Sequence, residues 1–138
     1  MGQQQLLLIV LGVIVVGIAV VVGINLFNAN AETSTQDSIV SQGTNIGAMA
    51  QQYYKKPVAM GGGGNSFSSG PSGQTFSDYF SNLPSNLINS SDATWTEAHS
   101  DSTVTLTATP VDGTYKTKWT VVTTITPTTI ESVVTPLN

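Results

Sequence analysis

Apolar and polar positions divide the chain into an unbroken apolar run, a run with an apolar stripe, and several short alternating runs. No polar side chain occurs from Leu6 to Ile24. As a helix, this run would extend about 29 Å at ~1.5 Å per residue, close to the ~30 Å hydrocarbon core of a bilayer. Because lipid offers no partners for backbone polar groups, only a helix satisfies them within one segment. The pattern therefore predicts an apolar helix over residues 1–27 that is able to cross a membrane.

Residues 28–56 are predicted to continue this helix in amphipathic form. Four apolar residues recur at helical spacing here: Ile39, Ile46, Ala50 and Tyr53. Pro57 then ends the helix, since proline lacks the N–H that a helix interior needs. We expect one helix of about 54 residues, and the alternative is two helices separated by a loop near residues 28–35. Gly43 and Gly47 are expected to weaken the helix and to permit a bend or a melted turn there.

A loop rich in glycine and serine is predicted over residues 57–75. Its four consecutive glycines, residues 61–64, invite comparison with a phosphate-binding loop. That motif requires Lys and then Ser or Thr after its last glycine, whereas Asn65 and Ser66 stand here. We therefore expect a flexible loop that lies on the surface.

Residues 76–138 are predicted to form a small antiparallel β-sheet. The four candidate strands are residues 93–98, 102–110, 114–127 and 129–137. Asp112 and Gly113 provide a hairpin signal between the second and third. Apolar residues alternate with threonines, so one face of the sheet needs a cover, which the stripe on the helix would supply. The predicted fold class is α+β, with a long N-terminal helix packed on a small C-terminal sheet.

Charge and composition exclude several classes of function. The formal net charge is −4 and the four basic residues are all lysines. Four scattered lysines do not make the basic stripe that nucleic-acid binding requires. The chain has no cysteine, which excludes disulfides and thiolate metal sites. We predict no cofactor, no metal and no nucleic-acid partner.

The polar residues around His99 are the candidates for a catalytic or metal-binding site. His99 could be combined with Asp92 and Asp101 into a triad, but no G-x-S-x-G nucleophile motif occurs. Glu97, His99 and Asp101 would share one strand face, yet three polar residues at a strand end arise often by chance. We predict no catalytic residue and no enzymatic activity. Asn89 begins an Asn-Ser-Ser sequence and is a candidate glycosylation site.

The apolar segment lacks the Lys and Arg flanks that orient membrane helices. A secretory signal would have a basic start and a shorter apolar run, although residues 29–31 offer an A-x-A cleavage pattern. The segment is otherwise a permanent anchor, or it was placed by a basic leader removed before Met1. Ala19 and Gly23 fall within about 20° of Gly12 around the helix, a small-residue stripe that favours close helix association.

The order of these parts resembles that of a type IV pilin, as found in bacteria. A short polar start, Met1 to Gln5, precedes an unbroken apolar helix to Phe27. An amphipathic continuation, a glycine-rich loop and a C-terminal sheet follow. The arrangement covers the whole chain, whereas the likeness in sequence rests on residues 1–27. The resemblance implies removal of a leader by a prepilin peptidase and N-methylation of the first residue that remains.

If Met1 is that first residue, Gln5 occupies the position that usually holds a glutamate. In the family, this acid is thought to pair with the terminal amine of a neighbouring subunit. Gln5 accepts a hydrogen bond but brings no charge, so the contact would be weaker. Cleavage after Gly2 is the alternative, and it would place Leu7 at the fifth position.

The resemblance and the small-residue stripe together give a set of residues that we predict to carry assembly. Val22 stands where many bacterial members have a helix-melting proline, and Gly17 and Gly23 could soften the helix instead. The predicted assembly residues are Met1, Gln5, Leu6, Gly12, Gly17, Ala19, Gly23 and Phe27.

We therefore expect a structural subunit of an extracellular filament at the cell surface. The partners would be identical subunits in a helical polymer, the inner membrane before assembly, and the pilus assembly machinery implied by the resemblance. The alternatives are a minor pilin or secretion pseudopilin, and a monomeric membrane-anchored binding module.

Overall fold

A computed structural model of the chain describes residues 2–138. Its first element is helix α1, Gly2–Lys55. Single 3-10 turns follow at Val58–Met60 and Pro71–Gly73. Two short helices are α2 (Phe76–Ser81) and α3 (Ser85–Ile88). The strands are β1 (Ala93–His99), β2 (Val104–Pro110), β3 (Trp119–Ile125) and β4 (Ile130–Pro136).

The prediction of one long helix is confirmed, since α1 has 54 residues. It is helical throughout residues 28–35, so the alternative of a loop there was wrong. Contacts divide the chain into two compact units, Met1–Ser34 and Thr35–Asn138. The described part of the first unit is helix alone, whereas the second contains the rest of α1, the short helices and the sheet.

The four strands form one antiparallel sheet in the order β1-β2-β3-β4, which confirms the predicted fold class. Pairing runs from Ala93↔Pro110 to His99↔Val104 between β1 and β2. β3 pairs with β2 and with β4. Each strand follows its neighbour in sequence, so every connection is a short turn or loop at a sheet end.

The connection between β2 and β3 is longer than the predicted hairpin turn. Residues 111–118 form the loop, because the Asp112 carbonyl accepts hydrogen bonds from both Tyr115 N and Lys116 N and starts a helical turn. The carboxylate of Asp112 also accepts a bond from Thr114 N at 2.7 Å, and this bond lowers the pKa of Asp112. The predicted third strand therefore began too early, since β3 starts only at Trp119.

The buried core lies between the sheet and the second half of α1. All four residues of the predicted stripe are buried: Ile39, Ile46, Ala50 and Tyr53. Alternate residues of β2 and β3 are buried as the sequence pattern indicates. One of these buried positions in β3 holds a polar residue, Thr123, whose hydroxyl forms a hydrogen bond with Ser132 Oγ at 2.9 Å.

Gly43 and Gly47 do not melt the helix, contrary to expectation, because both lie where α1 meets the sheet. A Cβ on Gly43 would come within 2.6 Å of Thr123 Oγ1 and 2.7 Å of Trp95 Cη2. A Cβ on Gly47 would lie 3.1–3.2 Å from Ile125 and Ile130. The missing side chains let the helix approach closely, and the packing offsets the low helix propensity of glycine.

Most of the segment after Pro57 is exposed, as a surface-lying loop would be, but two of its four consecutive glycines are not. Gly62 and Gly63 are buried. The amides of Gly63 and Asn65 donate to carbonyls in the last turn of α1 at 2.7–2.8 Å, and Gly64 N donates to Lys56 O, just past the helix end, at 3.0 Å. This segment satisfies the carbonyls that a helix end leaves without partners. We call it the glycine cap, residues 61–65.

Helices α2 and α3 were missed by the sequence pattern. Thr75 N donates to Asp78 Oδ2 at 2.8 Å, a capping interaction that begins α2. Phe76 and Phe80 are buried, and the Phe76 ring packs against Tyr53 at a centroid distance of 5.7 Å. The Thr-x-x-Asp spacing was a readable signal.

Candidate functional site

The exposed apolar surface of α1 is the main feature that the fold leaves without a cover. Every large apolar side chain from Leu6 to Phe27 is exposed, from 50% at Val22 to 80% at Phe27. We call this the apolar helix surface, residues 6–27. Soluble monomers rarely expose a contiguous apolar patch larger than a few hundred Å². Such a surface therefore requires lipid or another apolar partner.

Helix α1 is long and apolar enough, near the N-terminus, to cross a membrane. No residue of its most apolar window is buried within the described chain. The helix satisfies its own backbone groups, which lipid demands. Length and composition thus fit a bilayer, as the sequence predicts.

The predicted assembly residues lie on this helix, except that Met1 is outside the described residues. Leu6 and Phe27 mark the two ends of the apolar helix surface. A Cβ built on Gly12, Gly17 or Gly23 meets nothing within 4 Å. The glycines are therefore open to an approaching helix, and nothing in the described chain fills their space.

One side of the helix carries most of the predicted set. Gln5, Gly12 and Ala19 follow one another at seven-residue spacing, and Gly23 lies about 20° from Gly12 at 100° per residue. Gly17 lies about 140° away from Gly12 and belongs to another side. The small-residue stripe and Gln5, which is exposed and polar, therefore lie on the same side of the helix.

The candidate catalytic and metal residues lie in two separate places. His99 Nδ1 is 3.1 Å from Glu97 Oε2 at the end of β1. Asp92 Oδ2 instead accepts hydrogen bonds from Ser38 Oγ at 2.6 Å and Gln42 Nε2 at 3.2 Å. Among residues 2–138, no group of three His, Cys, Asp or Glu side chains could hold a metal ion.

The contact of Asp92 with α1 was missed by sequence reasoning. Ser90 Oγ extends it by donating to Gln42 Oε1 at 2.8 Å. The partners are 48 to 54 residues apart, so no local pattern marks them. These bonds position the second half of α1 on the start of β1.

Asn89, the candidate glycosylation site, is exposed and directly follows α3. Its amide N donates to Ser85 O at 2.8 Å, which closes the short helix. Asn89 also bridges to Thr94, so the acceptor pattern lies beside the edge of the sheet. Glycosylation there stays a prediction.

Comparisons of the chain with protein-family models, curated proteins and solved structures found no match.

Proposed function

We propose that this chain is the structural subunit of an extracellular filament of the type IV pilus kind. The apolar helix surface is the observation that carries the proposal. In this proposal, the surface lies in the inner membrane first and is later covered by the same surface of other copies. The second unit, with the sheet, faces solvent.

The energetics of this transfer limit what the helix itself can supply. Moving each Leu, Ile or Val side chain from water to an apolar core is worth about 1.5–3 kcal/mol. These side chains leave lipid rather than water, so that free energy does not drive assembly. Close packing at the small-residue stripe would favour association, and an external assembly machine would perform the extraction.

The direct test is electron microscopy of material sheared from the cell surface, with the protein identified by mass in that fraction. We expect thin filaments composed mainly of this chain. The intact mass would also report removal of a leader and N-methylation. Recovery of all the protein in the membrane pellet would contradict the proposal and favour a pseudopilin or an anchored binding module.

Substitutions on the stripe test the packing argument. We expect Gly12→Leu and Ala19→Leu to prevent filament formation while membrane insertion stays intact, because each adds bulk where helices must approach closely. The matched control is Val10→Leu, about 160° away from Gly12, which adds one methylene. Filaments of normal yield from both stripe variants would refute the stripe as an assembly surface.

A further inference from the structure

The two edges of the sheet are protected to different degrees. Along β1, Asn89 bridges to Thr94, and helices α2 and α3 contact the strand. The other edge is β4, whose seven residues pair with β3 in regular register from Ile130 to Pro136. An open edge strand presents a row of backbone donors and acceptors to another chain.

The hydrogen bonds at the two ends of the β3–β4 ladder identify the outward groups of β4. Thr126 N donates to Thr129 O at 2.8 Å, and Leu137 N donates to Lys118 O at 2.7 Å. Because hydrogen-bonded pairs alternate along an antiparallel ladder, the odd-numbered residues of β4 bond to β3. The outward N–H and C=O groups belong to Ile130, Ser132 and Val134. No backbone hydrogen bond within residues 2–138 reaches these groups.

The side chains beside this edge also suit a partner strand. Val133 is 51% exposed on the outer face of the sheet, and its cross-strand neighbour Val122 is half-buried. Glu131 is the only charged residue in β3 and β4. Low charge and β-branched residues are the features that permit strands of two chains to pair.

We propose that β4 pairs antiparallel with β4 of a second copy of this chain, with Val133 directly opposite Val133 of that copy. In this register, Ser132 and Val134 exchange backbone hydrogen bonds across the two-fold axis. Ile130 N donates to the carbonyl of Pro136, and Pro136 ends the ladder because it has no N–H. The exposed valines bury each other.

The charge of Glu131 disfavours two other registers. Here Glu131 stands opposite Thr135, and the two carboxylates lie four residues apart along the ladder. In-register parallel pairing would place Glu131 beside Glu131, which is destabilising. Antiparallel pairing centred on Ser132 would place Glu131 beside Val133 and halve the separation of the carboxylates.

The small area of the β4–β4 contact implies that it is effective only where many copies of the chain are displayed together. One seven-residue edge is far smaller than the ~1,200–2,000 Å² of a stable interface, so a single pair is weak. Many copies displayed together would add their contacts through avidity. A two-fold contact joins two copies and then stops. It therefore links separate arrays, such as two membranes or two filaments, and does not depend on the proposed filament function.

Cysteine cross-linking of the full chain in lipid vesicles tests the proposed register. The chain has no cysteine, so a single substitution gives an unambiguous product. In the proposed register, Val133 forms a non-hydrogen-bonded pair with Cα atoms ~4.5 Å apart, within the range for a disulfide. We expect Val133→Cys to dimerise about tenfold faster than Thr135→Cys, a factor that corresponds to about 1.4 kcal/mol. Thr135 is exposed on the same strand and face but does not oppose itself.

Equal rates for the two cysteine variants, after correction for thiol reactivity, would overturn the proposal. A second measurement needs no cysteine. Vesicles that carry the unaltered chain should cluster by light scattering, and Val133→Lys should abolish clustering through repulsion of opposed lysines. The control Thr107→Lys, on the central strand β2, should cluster normally. Clustering that survives Val133→Lys would also overturn the proposal.

Discussion

The two parts of helix α1 contain similar apolar residues but lie in opposite environments. Ile14 in the first part is 53% exposed, whereas Ile46 in the second part is fully buried. Residues 6–24 are apolar all round, so one sheet could cover only a fraction of them. Residues 39–53 bury one apolar stripe in the core formed with the sheet and α2, whereas Ala48 on another side is exposed. The distribution of apolar residues around a helix thus determines which kind of partner it needs.

The glycines in the two parts differ in the same way. Gly12, Gly17 and Gly23 have open space where a Cβ would be, whereas Gly43 and Gly47 have side chains of the sheet there. Glycine in the second part of α1 therefore permits a close contact within the chain. Glycine in the first part leaves open space that only lipid or another molecule could fill.

The largest expected effect separates the two parts by one identical substitution. Ile46→Ala should lower the free energy of unfolding by about 2–5 kcal/mol, because it opens a cavity in the core. Ile14→Ala should change it by less than about 0.5 kcal/mol. Denaturant unfolding of the full chain in detergent micelles, followed by tryptophan fluorescence, measures both. Equal losses would show that the first part also contributes to the fold of the second.

A smaller effect is expected when a glycine in each part of α1 is replaced by alanine, and its sign should differ between the two parts. Gly43→Ala should destabilise the protein by about 1–3 kcal/mol, since its Cβ would overlap Trp95 and Thr123. Gly12→Ala should be neutral or should stabilise the helix by up to ~1 kcal/mol through propensity. The same unfolding measurement applies, with circular dichroism to report helix content. A stabilising Gly43→Ala would contradict the close approach of helix and sheet.

The smallest effect concerns how the covered part of α1 ends. Gly63→Ala should lower the free energy of unfolding by about 0.5–2 kcal/mol, comparable with the loss of a helix cap, because its Cβ would overlap the carbonyl oxygen of Ser66, the residue directly after the glycine cap. The control is Gly113→Ala, whose Cβ would meet nothing within 4 Å. Hydrogen exchange at the C-terminal turn of α1 should quicken only in the first variant. Unchanged exchange there would argue that the cap does not hold the helix end.

Much of the fold could be predicted from the sequence because the relevant signals are local. The run from Leu6 to Ile24 and the stripe of Ile39, Ile46, Ala50 and Tyr53 fix one helix and its buried side. The alternation in β2 and β3 fixes the buried face of the sheet. Among the candidate assembly residues, the stripe of Gly12, Ala19 and Gly23 followed from the same helical period, which also places Gln5 on the stripe side.

Other features of the fold could not be predicted from the sequence, because they depend on contacts between residues that are far apart in the chain. The hydrogen bonds of Asp92 to Ser38 and Gln42 join parts of the chain that are 54 and 50 residues apart. The loop after Asp112 looked like a tight hairpin, yet the carbonyl of Asp112 starts a helical turn instead. In the glycine cap, the low local preference of glycine for order is overcome by bonds to the end of α1.

The sequence by itself determined which segments are apolar, at what period, and therefore that a bare apolar helix precedes a covered one. These properties follow from side-chain chemistry and from the fixed geometry of helices and strands. Only the tertiary structure determined the roles of Gly43, Gly47 and Gly63 in close packing. Glycine specifies no contact of its own, and its role is set by the atoms that approach the space where its side chain is missing.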